Sequence, residues 1–232
     1  ILSKEEEYRV EYLDQPDSEE PQVFNWVVRP GKAKVTYLAA GGHTFEGTFD
    51  AEKLKQGHGV YVWMNPPNDD DEVTERARYE GNYRDGKKHG VGKMTFPNGD
   101  IYHGEWNENK MHGEGTFTYK ATGDIFSGTW VDGKKQGNGN YFFNKDKSQF
   151  RGKWQAGNIT EGTWALKEYG EYVGKFEKGR PVGPGKYTFE KTKNAQSGAY
   201  VPKQLTEEEE EEYEDEEAVR PVVWKGDSIV VC

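Results

Sequence analysis

A unit of about 23 residues, exemplified by Tyr79–Asp100, returns along most of this chain and limits what the chain can fold into. Equivalent aromatics stand at Phe45, Tyr79, Tyr102, Phe126, Phe150 and Tyr172, separated by 34, 23, 24, 24 and 22 residues. A unit this short cannot bury its own apolar face. Copies must lie side by side and share one continuous core.

The residue order within a unit predicts a β-hairpin. Side chains alternate between the faces of a strand, so Tyr102, Gly104 and Trp106 share one face and His103 and Glu105 the other. In the second half, Gly115, Phe117 and Tyr119 share a face, opposite Glu114, Thr116 and Thr118. The same reading puts Phe126, Gly128 and Trp130 with Gly139, Tyr141 and Phe143, and it continues at Phe150, Gly152 and Trp154. Turn signals such as Asp132-Gly133-Lys134 and Asn98-Gly99-Asp100 join the halves into an antiparallel meander. Six hairpins predict an all-β, single-layer sheet of about 12 strands that curls, because open sheets beyond about 10 strands rarely stay flat. Its aromatic face has no second layer of its own, so it must close into a groove or accept another chain. Glycines facing a ring would let the ring lie on backbone, and Gly104→Val is expected to cost more than its volume suggests.

Composition agrees with a thin aromatic core. Hydrophobic residues are 33% of the chain, while glycine (29) and Trp, Tyr and Phe (7, 14 and 11) are abundant. The formal charge of −10 is concentrated: Glu207–Glu217 holds ten acidic residues, and the remainder balances 31 acidic against 31 basic. Cys232, the single cysteine, suits a reducing compartment. No apolar run approaches a membrane span and no leader is visible, so an intracellular location is expected.

The pattern divides the chain into an irregular N-terminal arm (1–33), a repeat sheet (34–200) and an acidic tail with a terminal docking segment (201–232). An apolar patch, Val23–Val28, is expected to dock on the start of the sheet or on a partner. Pro66–Glu72 is an acidic loop inserted between the first two units.

These residues resemble the MORN repeat family, whose unit reads Tyr-x-Gly-x-Trp-x-x-Gly-x-x-x-Gly-x-Gly-x-Tyr, matched nearly in full by Tyr102–Phe117 and Phe126–Tyr141. The repeat number, and Gly174-Lys175-Phe176 leading into Pro181–Phe189, are similar to the radial spoke head MORN proteins of motile cilia and flagella. That resemblance implies a structural subunit of the axonemal radial spoke head. Its partners would be other spoke head proteins in a large complex, with a homodimer as one arrangement, and its location the axoneme. The insert at 64–78, the Trp224 segment, and Thr160-Glu161-Gly162 in place of Gly-x-Gly depart from the pattern.

Three chemical readings compete with a binding role. His58, His89 and His112 recur near equivalent glycines, but Gln136 takes the next place and no ligand partners have the right spacing, so no metal is expected. The Gly-x-Gly pairs open strands rather than helices, so they are not phosphate loops. No nucleophile, base and acid set is apparent, and neither an enzyme nor a cofactor is expected. Two partner surfaces follow. The aromatic face offers Trp106, Tyr119, Trp130, Phe143 and Trp154. A row of loop cations, Lys87, Lys88, Lys110, Lys134, Lys135, Lys178 and Arg180, could meet anionic lipid as membrane-tethering MORN modules are taken to do, although Asp85, Glu108, Asp132 and Glu177 dilute it. No nucleic-acid partner is expected.

Overall fold

The computed structural model describes residues 7–14, 23–206 and 221–230. The acidic run Glu207–Glu217 and Cys232 lie outside the described residues. The described chain is all-β apart from one short 3-10 turn at Leu38–Ala40. It divides into two compact units, one running to Ala121 and including Val131–Gly133, the other comprising Thr122–Trp130 and the residues from Lys134 onward.

The first unit contains β1 (Tyr8–Tyr12), β2 (Val23–Phe24), β3 (Gly31–Tyr37), β4 (His43–Phe49), β5 (Lys55–Met64), β6 (Glu75–Arg84), β7 (Lys87–Thr95), β8 (Ile101–Asn107) and β9 (Lys110–Thr118). From β3 to β9 each strand pairs antiparallel with the next. The second unit contains β10 (Ile125–Val131, all but its last residue), β11 (Lys134–Phe142), β12 (Gln149–Gln155), β13 (Asn158–Leu166), β14 (Gly170–Glu177), β15 (Arg180–Phe189), β16 (Ala195–Pro202) and β17 (Val222–Val230). From β11 to β17 the same rule of antiparallel neighbours holds.

The hairpin turns explain the register. Asp85-Gly86, Glu108-Asn109, Asp132-Gly133, Ala156-Gly157 and Lys178-Gly179 all have both φ values positive, between 46° and 94°. This is the two-residue turn whose twist matches that of paired strands. The return strands β5, β7, β9 and β15 then bulge next to the first-strand glycine. In β9 the register steps from Gly104↔Gly115 to Glu105↔His112, leaving Gly113 and Glu114 unpaired in the ladder. The first glycine of each Gly-x-Gly pair has φ of 57° to 66° (Gly57, Gly90, Gly113, Gly137, Gly183), a left-handed conformation costly for other residues.

The second glycine of the pair has a different cause. A Cβ on Gly59 would stand 2.6 Å from Phe45 Cε2, and one on Gly92, Gly115, Gly139 or Gly185 would stand 2.6 Å from Cζ of Tyr79, Tyr102, Phe126 or Tyr172. Each ring therefore lies flat over the glycines of its own hairpin. Tyr79, Tyr102, Tyr172, Phe45 and Phe126 are fully buried in this way. The Tyr79 hydroxyl donates to Asn82 O at 3.0 Å, and the Tyr102 hydroxyl to Glu105 O at 2.9 Å.

One terminal expectation changes. The N-terminal arm is not wholly irregular: β1 pairs with β3 from Tyr8↔Tyr37 to Tyr12↔Ala33, burying Val10 and Tyr12. Its period-two order, Tyr8-Arg9-Val10-Glu11-Tyr12, is a strand signal between acidic stretches. The Val23–Val28 patch docks on this edge through β2, where Phe24 meets Tyr12 at 5.8 Å, but Trp26 stays 62% exposed. At the other end the Trp224 segment docks on its own chain, as β17 against β16, with the Trp224 ring 5.1 Å from Tyr187.

Candidate partner-binding face

The inner face is built from three kinds of residue with different depths. Deepest are the rings Phe45, Tyr79, Tyr102, Phe126 and Tyr172 at the start of first strands. Over them lie the aromatics four residues on, and these reach back to the preceding hairpin. Tyr83 meets Phe45 edge to face at 5.2 Å, Trp106 meets Tyr79 at 5.3 Å, Trp154 meets Phe126 at 5.0 Å and Phe176 meets Phe150 at 4.9 Å. Trp106 and Trp154 also donate their indole N–H to the carbonyls of Gly92 and Gly139, at 3.1 and 3.2 Å. These contacts join successive hairpins.

This corrects the expected role of the tryptophans. Trp106, Trp130 and Trp154 do lie on the aromatic face, but they are 4%, 3% and 7% exposed and belong to its interior. Alternation reveals which side a residue faces. It does not reveal that the next hairpin's side chains will cover it. Tyr119 and Phe143, from the second strands or just beyond, are half-buried and stay within a partner's reach. They sit in a wider double row: Tyr61, Trp63, Phe96, Phe117 and Tyr119 in the first unit, and Tyr141, Phe143, Trp164, Tyr187 and Phe189 in the second, all half-buried. Neighbouring rings touch, with Tyr61–Trp63 at 4.4 Å, Phe117–Tyr119 at 4.7 Å and Tyr141–Phe143 at 4.6 Å.

The third kind is lysine. Lys55, Lys88 and Lys135 stand opposite or beside the second aromatic of the first strand and so share its face; Lys55 pairs in register with Phe49 and Lys88 with Tyr83. The Lys55 amine lies 4.4 Å from the Tyr61 ring centre and 4.9 Å from Phe45, with Tyr37 and Tyr83 at 5.6 and 5.8 Å. Lys88 lies 4.6 Å from Trp106, 5.2 Å from Tyr79 and 5.6 Å from Trp63. Lys135 lies 4.6 Å from Tyr141, 4.9 Å from Phe126 and 5.0 Å from Trp154. Burial among rings disfavours the charged form and lowers all three amines from 10.5 to about 8. The same burial raises the Tyr79, Tyr83 and Tyr102 hydroxyls far above their ordinary range.

The expected row of seven loop cations thus divides. Lys88 and Lys135 turn inward. Lys87 and Lys110 stay on the outer rim, where Lys87 pairs with Glu108 at 3.2 Å and Lys110 with Asp132 at 3.4 Å. Lys134, Lys178 and Arg180 are exposed. The turns are also tied to one another, because Gly86, Asn109 and Gly133 donate their N–H groups to the carbonyls of Lys55, Lys88 and Met111. Lys55 escaped the sequence reading because its turn, Asp50–Leu54, is longer than the two-residue turns of the later units.

An antiparallel hairpin repeat with aromatic rings seated on paired glycines is the class of protein that this geometry defines. Five stretches, 45–65, 79–101, 102–121, 126–146 and 172–191, match the family profile described as MORN repeat, so the chain carries five MORN repeats. No curated protein matches the chain. The stretch from Phe150 is unmatched, yet β12 and β13 form the same hairpin with Gly152 opposite Gly162. Its bulge is one residue shorter, consistent with Thr160-Glu161-Gly162 replacing the glycine pair, and Ile159 fills the place of the inward lysine.

Proposed function

We propose that the chain is a non-enzymatic interaction scaffold that holds partners on its half-buried second-strand rings. MORN repeats are generally interaction modules. The observation that carries the reading is the double row of Tyr61, Trp63, Phe96, Phe117 and Tyr119, half-buried on a single-layer sheet. Such a face gains by covering its rings, which contribute about 25 cal/mol per Å² of apolar area removed from water.

The finer reading is a structural subunit of the ciliary radial spoke head, located in the axoneme and bound to other spoke head proteins. It rests on the resemblance of the repeat number and of Gly174–Phe189 to spoke head MORN proteins. In motile cells, a tagged chain should stay with axonemes after detergent and be missing from axonemes that lack spokes. Complete release by detergent sinks this reading. Partner recovery should fall with Trp63→Ser and Phe117→Ser in a chain whose circular dichroism is unchanged.

The membrane alternative, anionic lipid held by the loop cations, is weakened by the pairing of Lys87 and Lys110 with carboxylates and by the inward turn of Lys88 and Lys135. Flotation with anionic vesicles at low salt separates the two. Binding that is lost on reversing Lys87 and Lys134 would favour lipid.

A further inference from the structure

The inward lysines of the first unit have no ionic partner among the described residues. Among the described residues no carboxylate pairs with the Lys55 or Lys88 amine, whereas their outer-rim neighbours Lys87 and Lys110 each have one. The residues that share their face are otherwise rings, glycines, alanine and methionine: His43, Phe45, Gly47 and Phe49 in β4, Ala77, Tyr79, Gly81 and Tyr83 in β6, Gly92 and Met94 in β7, and Tyr102, Gly104 and Trp106 in β8. The carboxylates of these strands, such as Glu46, Glu80 and Glu105, alternate onto the opposite face and are exposed.

Packing alone does not require the charge. Met111 takes the equivalent place in the following hairpin, opposite Trp106, and Ile159 the same place opposite Trp154. An apolar side chain is therefore compatible with the hairpin, and it carries no desolvated ammonium. Lys55 and Lys88 lie on strands separated by one other, which sets their backbones about 10 Å apart.

We infer that the aromatic face of the first unit, through Lys55 and Lys88, selects a partner segment that carries carboxylates among apolar side chains. This rests on the reading of the second-strand rings as a docking surface and adds the chemistry of what docks there. An acidic side chain entering between the rings supplies the missing counterion in a site of low dielectric, where an ion pair is stronger than on the rim. A purely apolar segment would cover the two ammonium groups and leave them unpaired. That penalty gives the face its selectivity.

Fluorescence anisotropy with the full chain tests this. The probe is a labelled 16-residue peptide of leucine, phenylalanine and glutamate, compared with the same peptide carrying glutamine for glutamate. The acidic peptide should bind at least tenfold more tightly. Lys55→Met and Lys88→Met should each weaken it about tenfold and leave the glutamine peptide unchanged or tighter, while Lys87→Met should change neither. Circular dichroism and thermal midpoints establish that the methionine variants fold. If both peptides bind equally and lose binding only with Trp63→Ser, the docking reading stands and the acidic selectivity is overturned. If neither peptide binds, both are overturned. Anionic vesicles that bind through Lys55 and Lys88 where the acidic peptide does not would assign the lysines to lipid and also overturn the inference.

Discussion

Replacing Lys88 with methionine separates the cost of a buried charge from the packing of the side chain that carries it. The amine sits at about 8 instead of 10.5 because rings have replaced water around it. At about 1.4 kcal/mol per pH unit, that difference places a penalty of about 3 kcal/mol on the charged form. The attraction of the ammonium for the Trp106, Tyr79 and Trp63 rings offsets about 0.5–2 kcal/mol of this. Methionine keeps most of the stem's contact and removes the charge, so Lys88→Met should stabilise the fold by about 1–3 kcal/mol at pH 7. The sign of the pH dependence follows from proton counting. Below pH 8 the folded and unfolded lysines are both charged, and the penalty is constant. Between about pH 8 and 10.5 the unfolded chain still holds a proton that the folded chain has released, so wild-type stability rises with pH. Above pH 10 the buried tyrosines reverse the trend, since unfolded tyrosines ionise while Tyr79, Tyr83 and Tyr102 hold their protons. Urea unfolding followed by tryptophan fluorescence at pH 7, 8, 9 and 10 reads all of this. The variant should start higher and rise less steeply than wild type, which keeps Lys55, Lys88 and Lys135. A variant less stable than wild type at pH 7, or a wild type flat between pH 8 and 10, refutes the reasoning.

Other perturbations follow from the same geometry. Gly115→Ala puts a methyl group within 2.6 Å of Tyr102 Cζ and should cost about 1–3 kcal/mol by urea unfolding. Tyr102→Leu in the same chain should recover part of that cost in a double-mutant cycle, because the ring is the obstacle. Trp154→Ala removes a ring that spans two hairpins and should cost about 3–5 kcal/mol, lowering the thermal midpoint as well as any binding. Glu108→Asp places a residue more tolerant of φ near 46° in the turn while keeping a carboxylate for Lys87, and should stabilise by about 0.5 kcal/mol in chemical denaturation.

Much of this architecture is legible in the residue order, and the exceptions have physical causes. Period-two alternation with recurring Gly-x-Gly is enough to place Tyr102, Gly104 and Trp106 on one face, because a strand offers only two sides. Depth is a different quantity. Trp106 is buried by its approach to Tyr79, a residue 27 positions earlier, and only the pairing of β7 with β8 brings them together. Lys87 and Lys88 look alike in sequence, yet one residue of alternation sends the first to Glu108 and the second over Trp106. Counting back in steps of two from Gly92 identifies Lys88 as the inward member, so that signal was present. The strand at Tyr8–Tyr12 was also present as alternation, masked by the acidic stretches beside it.

The account turns on which lysines a partner meets. Selective isotope labelling of lysine side chains, with assignments from single substitutions, follows each amine by NMR while the acidic peptide is added. The Lys55 and Lys88 resonances should move, with their titration midpoints rising from about 8 as a carboxylate arrives, while Lys87 and Lys110 stay fixed against Glu108 and Asp132. Movement confined to Lys87 and Lys110, with Lys55 and Lys88 unchanged, would contradict it and return the binding site to the rim.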